Sequence, residues 1–435
     1  MEMPSSSSKI FIKKIKSSLK REKSFPDLYK TDFPYCREGR FFVFFAVMNT
    51  LEETASLCAL NRIFGFEPKI GTALLEHFGS AGEVMRLSRK DQNLLLGPHS
   101  KHAGQICMRA IDDAARELND LQHRNIFFIG QTQRHYPALL RDCPDAPIGL
   151  YVRSTTPAEE LFRPHPNIAV IGTRNLSLYG EEWCRQTVAS LSATPEKPRI
   201  ISGLALGTDI CAHKSAIEHG LPTIAVMATG PETVYPWRHI GFAEKMVCTP
   251  GCALITDYPP GTAPLAIHFL RRNRIIAGLS QATILIESRI RGGGMMTSRL
   301  AFSYGREVYA LPGRVDDQCS QGCNLLIKEK IAEPLISPKD LVRSLGFKTG
   351  SDRSTQVSDK TLLENSYATS MSADRIGQMA DILLSVRRCR GITIEDIAIE
   401  TGLSYSRTAE LVRILETDGF ISTDLLQRCT INIRK

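Results

Sequence analysis

The sequence predicts an α/β protein centred on a doubly wound, mostly parallel sheet. Three observations carry this. Short apolar runs rich in β-branched residues recur between 167 and 311, and Gly-bearing turns follow several of them. Segments of helical spacing separate these runs, the alternation expected of parallel strands and crossover helices. The flanks read differently, as short helices over 48–125 and as helices with a small β wing over 374–435.

Residues 1–47 open with the low-complexity run Ser5 to Ser8 and the basic series Lys9, Lys13, Lys14, Lys16, Lys20, Arg21 and Lys23. A disordered basic extension without a folded role is expected. Met48 stands just before the first periodic helix, where an initiation site is expected. Over 48–125, Leu57, Leu60 and Phe64, then Leu74, Leu75 and Phe78, flank a hairpin spanning Gly65 to Gly71. Two readings stay open: a helical packing domain, or two helices about a Gly turn offering N–H groups to a DNA phosphate. Segment 126–166 holds one short strand, Ile126 to Ile129, and a Pro-rich connection.

The sheet domain is expected over 167–345. Its first strand, Asn167 to Ile171, runs into Gly172-Thr173-Arg174-Asn175, and a helix follows. Arg199-Ile200-Ile201 leads to Ser202-Gly203, and Pro222 to Met227 to Thr229-Gly230. Ala253 to Ile255 is closed by Pro259-Pro260-Gly261. Ala282 to Ile286 precedes Arg291-Gly292-Gly293-Gly294, and Glu307 to Leu311 is the last strand. Ligands of such sheets bind beyond the carboxyl ends of the strands, so Gly172, Gly203, Gly230 and Gly292 to Gly294 should floor the site. The helix N-terminus after Gly172 offers free N–H groups and a positive dipole end, and Arg174 adds a planar charge.

Residues 346–373 are polar and without periodicity, a linker. Over 374–435, helices at Ile376 to Val386, Thr393 to Ala398 and Tyr405 to Thr417 precede a β wing, a winged helix-turn-helix. Tyr405, Ser406, Arg407 and Arg413 would lie on its recognition helix, yet Glu410, Glu416 and Asp418 dilute the charge. DNA reading, protein contacts and simple packing all stay open there.

The totals bound the partners. Fifty-four basic against 46 acidic residues give a net charge of +8, compatible with nucleic acid without establishing it. Twelve scattered cysteines suggest reduced thiols in a cytoplasmic protein. Cys248/Cys252 and Cys319/Cys323 lack the usual zinc spacing and a His–His partner, so no metal is expected. The run Phe41 to Met48 is too short to cross a bilayer and has no cleavage site after it.

A dinucleotide fold is disfavoured, because Gly172-Thr173-Arg174 lacks the second glycine and no acid follows the second strand. Ser202 has no nucleophile elbow around it. Asp209 and His213 are expected to brace the second turn.

The motifs, taken in order, resemble the DNA-processing protein A (DprA, also called Smf) family. They are Val170-Ile171-Gly172-Thr173-Arg174; Ser202-Gly203-Leu204-Ala205 with Gly207 and Asp209; Thr229-Gly230 with Tyr235-Pro236; Tyr258-Pro259-Pro260-Gly261-Thr262; Arg272-Asn273-Arg274; and Pro312-Gly313 with Gly322 and Asn324. The resemblance implies a Rossmann-like core, an N-terminal helical domain of SAM or helix-hairpin-helix type and a C-terminal winged helix. It implies a non-enzymatic homodimer without a cofactor that binds single-stranded DNA and loads a RecA-type recombinase during natural transformation. Carried over by motif, Gly172, Arg174, Thr229, Gly230, Arg272, Asn273, Arg291 and Gly293 belong to the DNA pocket. Ser202 and Gly203 of the second turn join them, and Arg271 and Arg274 add charge to the groove. Leu270 stands where many members have proline, and Met295-Met296 replace a more usual Leu-Ile.

Two other classes compete. Related nucleotide phosphoribohydrolases carry P-G-G-x-G-T-x-x-E, but the turn at Arg291 to Arg299 lacks its leading proline and its glutamate. A transcription regulator would rest on the winged helix alone.

Overall fold

Most strands of the main sheet form where apolar runs are buried on both faces, and its last is a short exposed pair, Glu333–Pro334. In chain order they are β1 (Ile126–Gly130), β2 (Gly149–Arg153), β3 (Asn167–Ile171), β4 (Arg199–Ser202), β5 (Thr223–Val226), β6 (Ala253–Thr256), β7 (Ala282–Leu285), β8 (Glu307–Ala310) and β9 (Glu333–Pro334). They make one nine-stranded sheet in the order β1-β2-β6-β5-β4-β3-β7-β8-β9. This computed structural model of the chain describes residues 40–348, 371–389, 391–424 and 427–431, with Leu363 and Tyr367. The linker expected over 346–373 falls largely outside them, and so does the extension expected over 1–47, whose residues 40–47 are instead helical.

From β3 the chain winds outward through β4, β5 and β6, then returns to the other side of β3 to lay down β7 and β8. These pairings are parallel; Ile168 stands opposite Ile200 on β4 and Ala282 on β7. Residues alternate between the two faces, as the pleat requires. Ala169 and Ile171 pack into one apolar cluster, and Ile168 and Val170 into another. The reversal of winding opens a crevice between the carboxyl ends of β3 and β7.

One expectation is corrected. Segment 126–166 is no mere connector: β1 and β2 pair antiparallel, and β2 pairs antiparallel with β6, Val152 opposite Ile255. Leu150, Tyr151 and Val152 are fully buried there. Without them β6 would expose an unpaired edge.

The chain divides into two compact units, Met1–Asp120 and Leu121–Lys435. In the first, helices Arg40–Phe64 and Pro68–Phe78 are joined by a turn tighter than expected, because Gly71 lies inside the second helix. The first helix begins at Arg40, so 48 is not its start. Ser80 and Ser88 cap the next two helices, and Glu53 accepts from the N–H groups of Ala81 and Gly82 at 2.7 and 3.0 Å.

In the second unit, helices Ala373–Arg388, Ile394–Thr401 and Tyr405–Thr417 accompany a three-stranded sheet of β10 (Ile392–Thr393), β11 (Ile421–Thr423) and β12 (Arg428–Ile431). No helix among the described residues is long and apolar enough to cross a membrane.

Candidate nucleic-acid interface

The turn after β3 is held from beneath by the turn after β4. The Thr208 N–H and hydroxyl both donate to the Thr173 carbonyl, at 3.1 and 3.2 Å. A Cβ on Gly172 would lie 2.4 Å from Thr208 Oγ1, and Gly207, at φ +76°, faces the Thr173 and Arg174 backbone just as closely. Glycine is required at both positions. The clamp leaves Arg174 projecting into solvent.

Arg174 does not project alone. Its guanidinium carbon lies 5.4 Å from the centroid of the Phe269 ring, over its face. Phe269 in turn meets Tyr235 edge-on, with centroids 5.4 Å apart. Tyr235 is 45 % exposed and nearby in sequence Trp237 is 72 % exposed, its ring covered in part by Arg238 at 5.8 Å. Large aromatic rings left this open are available to stack on planar ligands.

At three places on the same edge, backbone N–H groups are taken up by the protein's own carboxylates. Glu287, just past β7 and 1 % exposed, accepts from the Ser177 N–H at 3.0 Å and from the Ser177 hydroxyl. Ser177 caps helix Leu178–Ser192, so the positive end of that helix is already neutralised. At the second turn, buried Asp209 accepts from the Ala205 N–H at 3.3 Å, and burial raises its carboxyl above the usual range. At the third, Glu232 accepts from the Gly261 N–H at 2.6 Å and closes over Gly230. The free helix terminus expected after Gly172 is therefore absent, and phosphate capture by backbone N–H groups there is not what this edge offers.

The expected site residues separate accordingly. Gly172 and Arg174 lie at the crevice, and Gly294 of the turn after β7 packs against Gly172, where an added Cβ would come 3.6 Å from its Cα. Arg291 and Gly293, on that same turn, are exposed. Arg271 is half-buried, with burial pulling its pKa down beside Tyr258 and Asp257.

The others are corrected to supporting roles. Ser202 is fully buried and donates to the Val170 carbonyl at 2.6 Å. Thr229 is buried and donates to the Thr233 carbonyl, while the Gly230 N–H is spent on the Thr262 carbonyl. Arg272, 4 % exposed, donates to the Gly203 and Val226 carbonyls, and Gly203 has no room for a side chain against its guanidinium. Burial lowers the Arg272 pKa to about 10, with Asp209 opposing the shift. Arg274, 6 % exposed, is paired with Asp257 at 2.5 Å, and Asn273 is buried between these arginines. Ser202, Thr229 and Arg272 are spent on these carbonyls and cannot reach a strand without giving them up.

Sequence reasoning missed Phe269, Trp237, Glu287 and Glu232, and read Tyr235 only as a motif residue. The aromatic signal was present, in Tyr235-Pro236-Trp237 and in Phe269 two residues before Arg271. On the winged segment, Arg407 is occupied by Glu410 at 2.9 Å and by Gln378 at 3.1 Å. Among the described residues no group of His, Cys, Asp and Glu side chains could hold a metal ion.

Comparison with known proteins follows the sheet. Residues 127–346 match the family model of DNA recombination-mediator protein A. The chain is 37% identical over 230 residues to Protein Smf of Escherichia coli, covering 52% of this chain and 59% of that protein. It thus spans less than two thirds of that relative's length. With Protein Smf of Synechocystis it shares 30% identity over 299 residues, 68% of this chain and 73% of the relative. The X-ray structure of DNA processing protein A from Streptococcus pneumoniae superposes with a TM-score of 0.53 at 29% identity, covering 65% of this chain and 95% of that one.

Proposed function

Since the chain belongs to the DNA recombination-mediator protein A family, we propose that it binds single-stranded DNA across the β3–β7 crevice and loads a RecA-type recombinase onto it. It acts on this reading as a cytoplasmic homodimer and without chemistry of its own. One observation carries the DNA reading: Arg174 lies over Phe269, with Tyr235 at its edge, beside the crevice. Such a platform takes unpaired bases by their faces, while Arg174 takes a neighbouring phosphate. A duplex hides those faces.

The phosphoribohydrolase reading is disfavoured at the turn after β7, where helix Gly293–Ser303 begins: Arg291 to Arg299 has neither the leading proline nor the glutamate of that motif. The regulator reading is weakened by the neutralised Arg407.

The test is fluorescence anisotropy with labelled oligothymidine and with blunt duplex, over a range of salt. Arg174, Arg291 and half-buried Arg271 would neutralise two or three phosphates, so log affinity should fall with log salt at a slope of about 1.4–2. Equal affinity for duplex, a flat salt response, or base release from nucleoside monophosphates would each count against the proposal.

A further inference from the structure

Helices Leu178–Ser192 and Thr208–Glu218 pack side by side behind the Gly172 turn, and each brings one cysteine to the seam. Cys184 is fully buried and Cys211 is half-buried. Cys211 Sγ lies 4.0 Å from the Glu181 carbonyl. A helical side chain leans over the turn preceding it, so Cys184 covers that same spot from its own helix. The two thiols oppose each other electrostatically, Cys184 holding the Cys211 pKa down and Cys211 holding the Cys184 pKa up. Arg185 ties the seam together outside them, 3.1 Å from Glu181 on its own helix and 3.8 Å from Glu218 on the other.

We infer that Cys211 and Cys184 form a reversible oxidation site that takes a low-molecular-weight disulfide of the glutathione class. Cys211 is the attacking thiol because it is the one solvent reaches. Cys184, then Arg185, also holds its thiol below the ordinary range. The Cys211 thiolate attacks one sulfur of the reagent; the reagent S–S bond breaks and one reagent thiolate leaves, taking a proton. The mixed disulfide now sits against Cys184. Cys184 keeps its proton while reduced, its pKa held up by Cys211 and by burial. The part due to Cys211 ends once Cys211 is derivatised. Cys184 then yields its proton as its sulfur displaces the second reagent thiol from Cys211. Two protein thiols are oxidised to one disulfide, and one reagent disulfide is reduced to two thiols. The bond would join the helix capped at Glu287 to the helix whose Thr208 clamps Thr173, the two supports of the Arg174 turn.

The full-length protein is incubated under native conditions with oxidised glutathione, quenched in acid, and mapped by peptide mass spectrometry. Exposed Cys107, Cys248 and Cys389 are internal controls for reagent access. The expected product is a linked Cys184–Cys211 peptide pair that reduced glutathione reverses. In Cys184→Ser, Cys211 should retain a glutathione adduct. In Cys211→Ser, Cys184 should stay unmodified. Adducts on Cys107, Cys248 and Cys389 without a Cys184–Cys211 link in the wild type would overturn the site. An adduct on Cys184 in Cys211→Ser, with none on Cys211 in Cys184→Ser, would overturn the assigned order.

Discussion

Arg174 and Arg272 are both motif arginines at the same edge of the sheet, and they do opposite things. Arg174 lies in solvent over an aromatic face, with no carboxylate within 4.0 Å among the described residues. Arg272 lies beneath the turns, donating to the Gly203 and Val226 carbonyls. The first is free to meet a ligand; the second builds the surface on which the ligand would sit. The difference arises from the elements that bear them. The β3 turn presents Arg174 to solvent, whereas the 14-residue helix Ala266–Leu279 is buried on all sides from Arg272 to Leu279 and so carries Arg272 and Arg274 inward. Charge counted along a sequence therefore overstates charge presented to a partner.

The comparison breaks most visibly at Arg272. Arg272→Met keeps much of the volume and removes the donors, leaving two buried carbonyls unmet and Asp209 without its nearby cation. We expect a loss of about 3–5 kcal/mol in stability by urea denaturation. An unchanged urea midpoint with lost DNA affinity would move Arg272 from the scaffold to the interface.

Arg174→Ala is the mirror experiment. Stability should stay within about 0.5 kcal/mol of wild type, since an exposed side chain carries little of the core. Affinity for oligothymidine should fall by about 2–4 kcal/mol, some thirty-fold or more, through loss of a charge-assisted contact and a stacking plane. Arg174→Lys should recover only part of this, because an ammonium lacks the plane and fork. Wild-type affinity in a folded Arg174→Ala protein would remove the β3 turn from the interface.

These two arginines also mark what the chain makes legible. The parallel strands β3 to β8 are short apolar runs because both their faces are buried, and that pattern survives in one dimension. β2 does not advertise itself: Leu150-Tyr151-Val152 is three residues between polar and proline-bearing stretches, and its partner Ile255 is remote in sequence. The crevice follows from the turn glycines and the winding order. What fills it does not, since Glu287 and Ser177 are 110 residues apart and only the closed sheet brings them together. Burial of Arg272 and Arg274 was hidden for a like reason, because a positive run reads as a solvated or ligand-facing helix until the carbonyls beneath it are known. Phe269 was readable as an aromatic beside arginines, but its place under Arg174 depends on the fold.

The buried side of the comparison has its own reporter in His213. The Thr223 hydroxyl donates to the Ile200 carbonyl at 2.8 Å, so it must accept from His213 Nδ1–H, 2.7 Å away. The His213 Nε2 is buried and unpartnered, so a second ring proton would find no acceptor and the ring stays neutral. Burial, then the Arg272 charge, lowers its pKa to about 3. An unfolded histidine titrates near 6.5, so between these values the unfolded chain binds a proton that the folded protein refuses. Stability from this group is complete above about pH 6.5 and is lost as the pH falls toward 3, at up to about 1.4 kcal/mol per pH unit. Between neutrality and pH 5.5 the expected loss is about 1.4 kcal/mol, the smallest of the three effects. His213→Gln should flatten this acid limb whatever its stability at neutral pH, and denaturation midpoints measured across the range would show it. In Arg272→Met the His213 pKa should rise and the limb become shallower, because one of the charges opposing protonation has gone. An acid limb equally steep in wild type and His213→Gln would mean that other groups dominate, and that the space beneath the turns is wetter than its packing indicates.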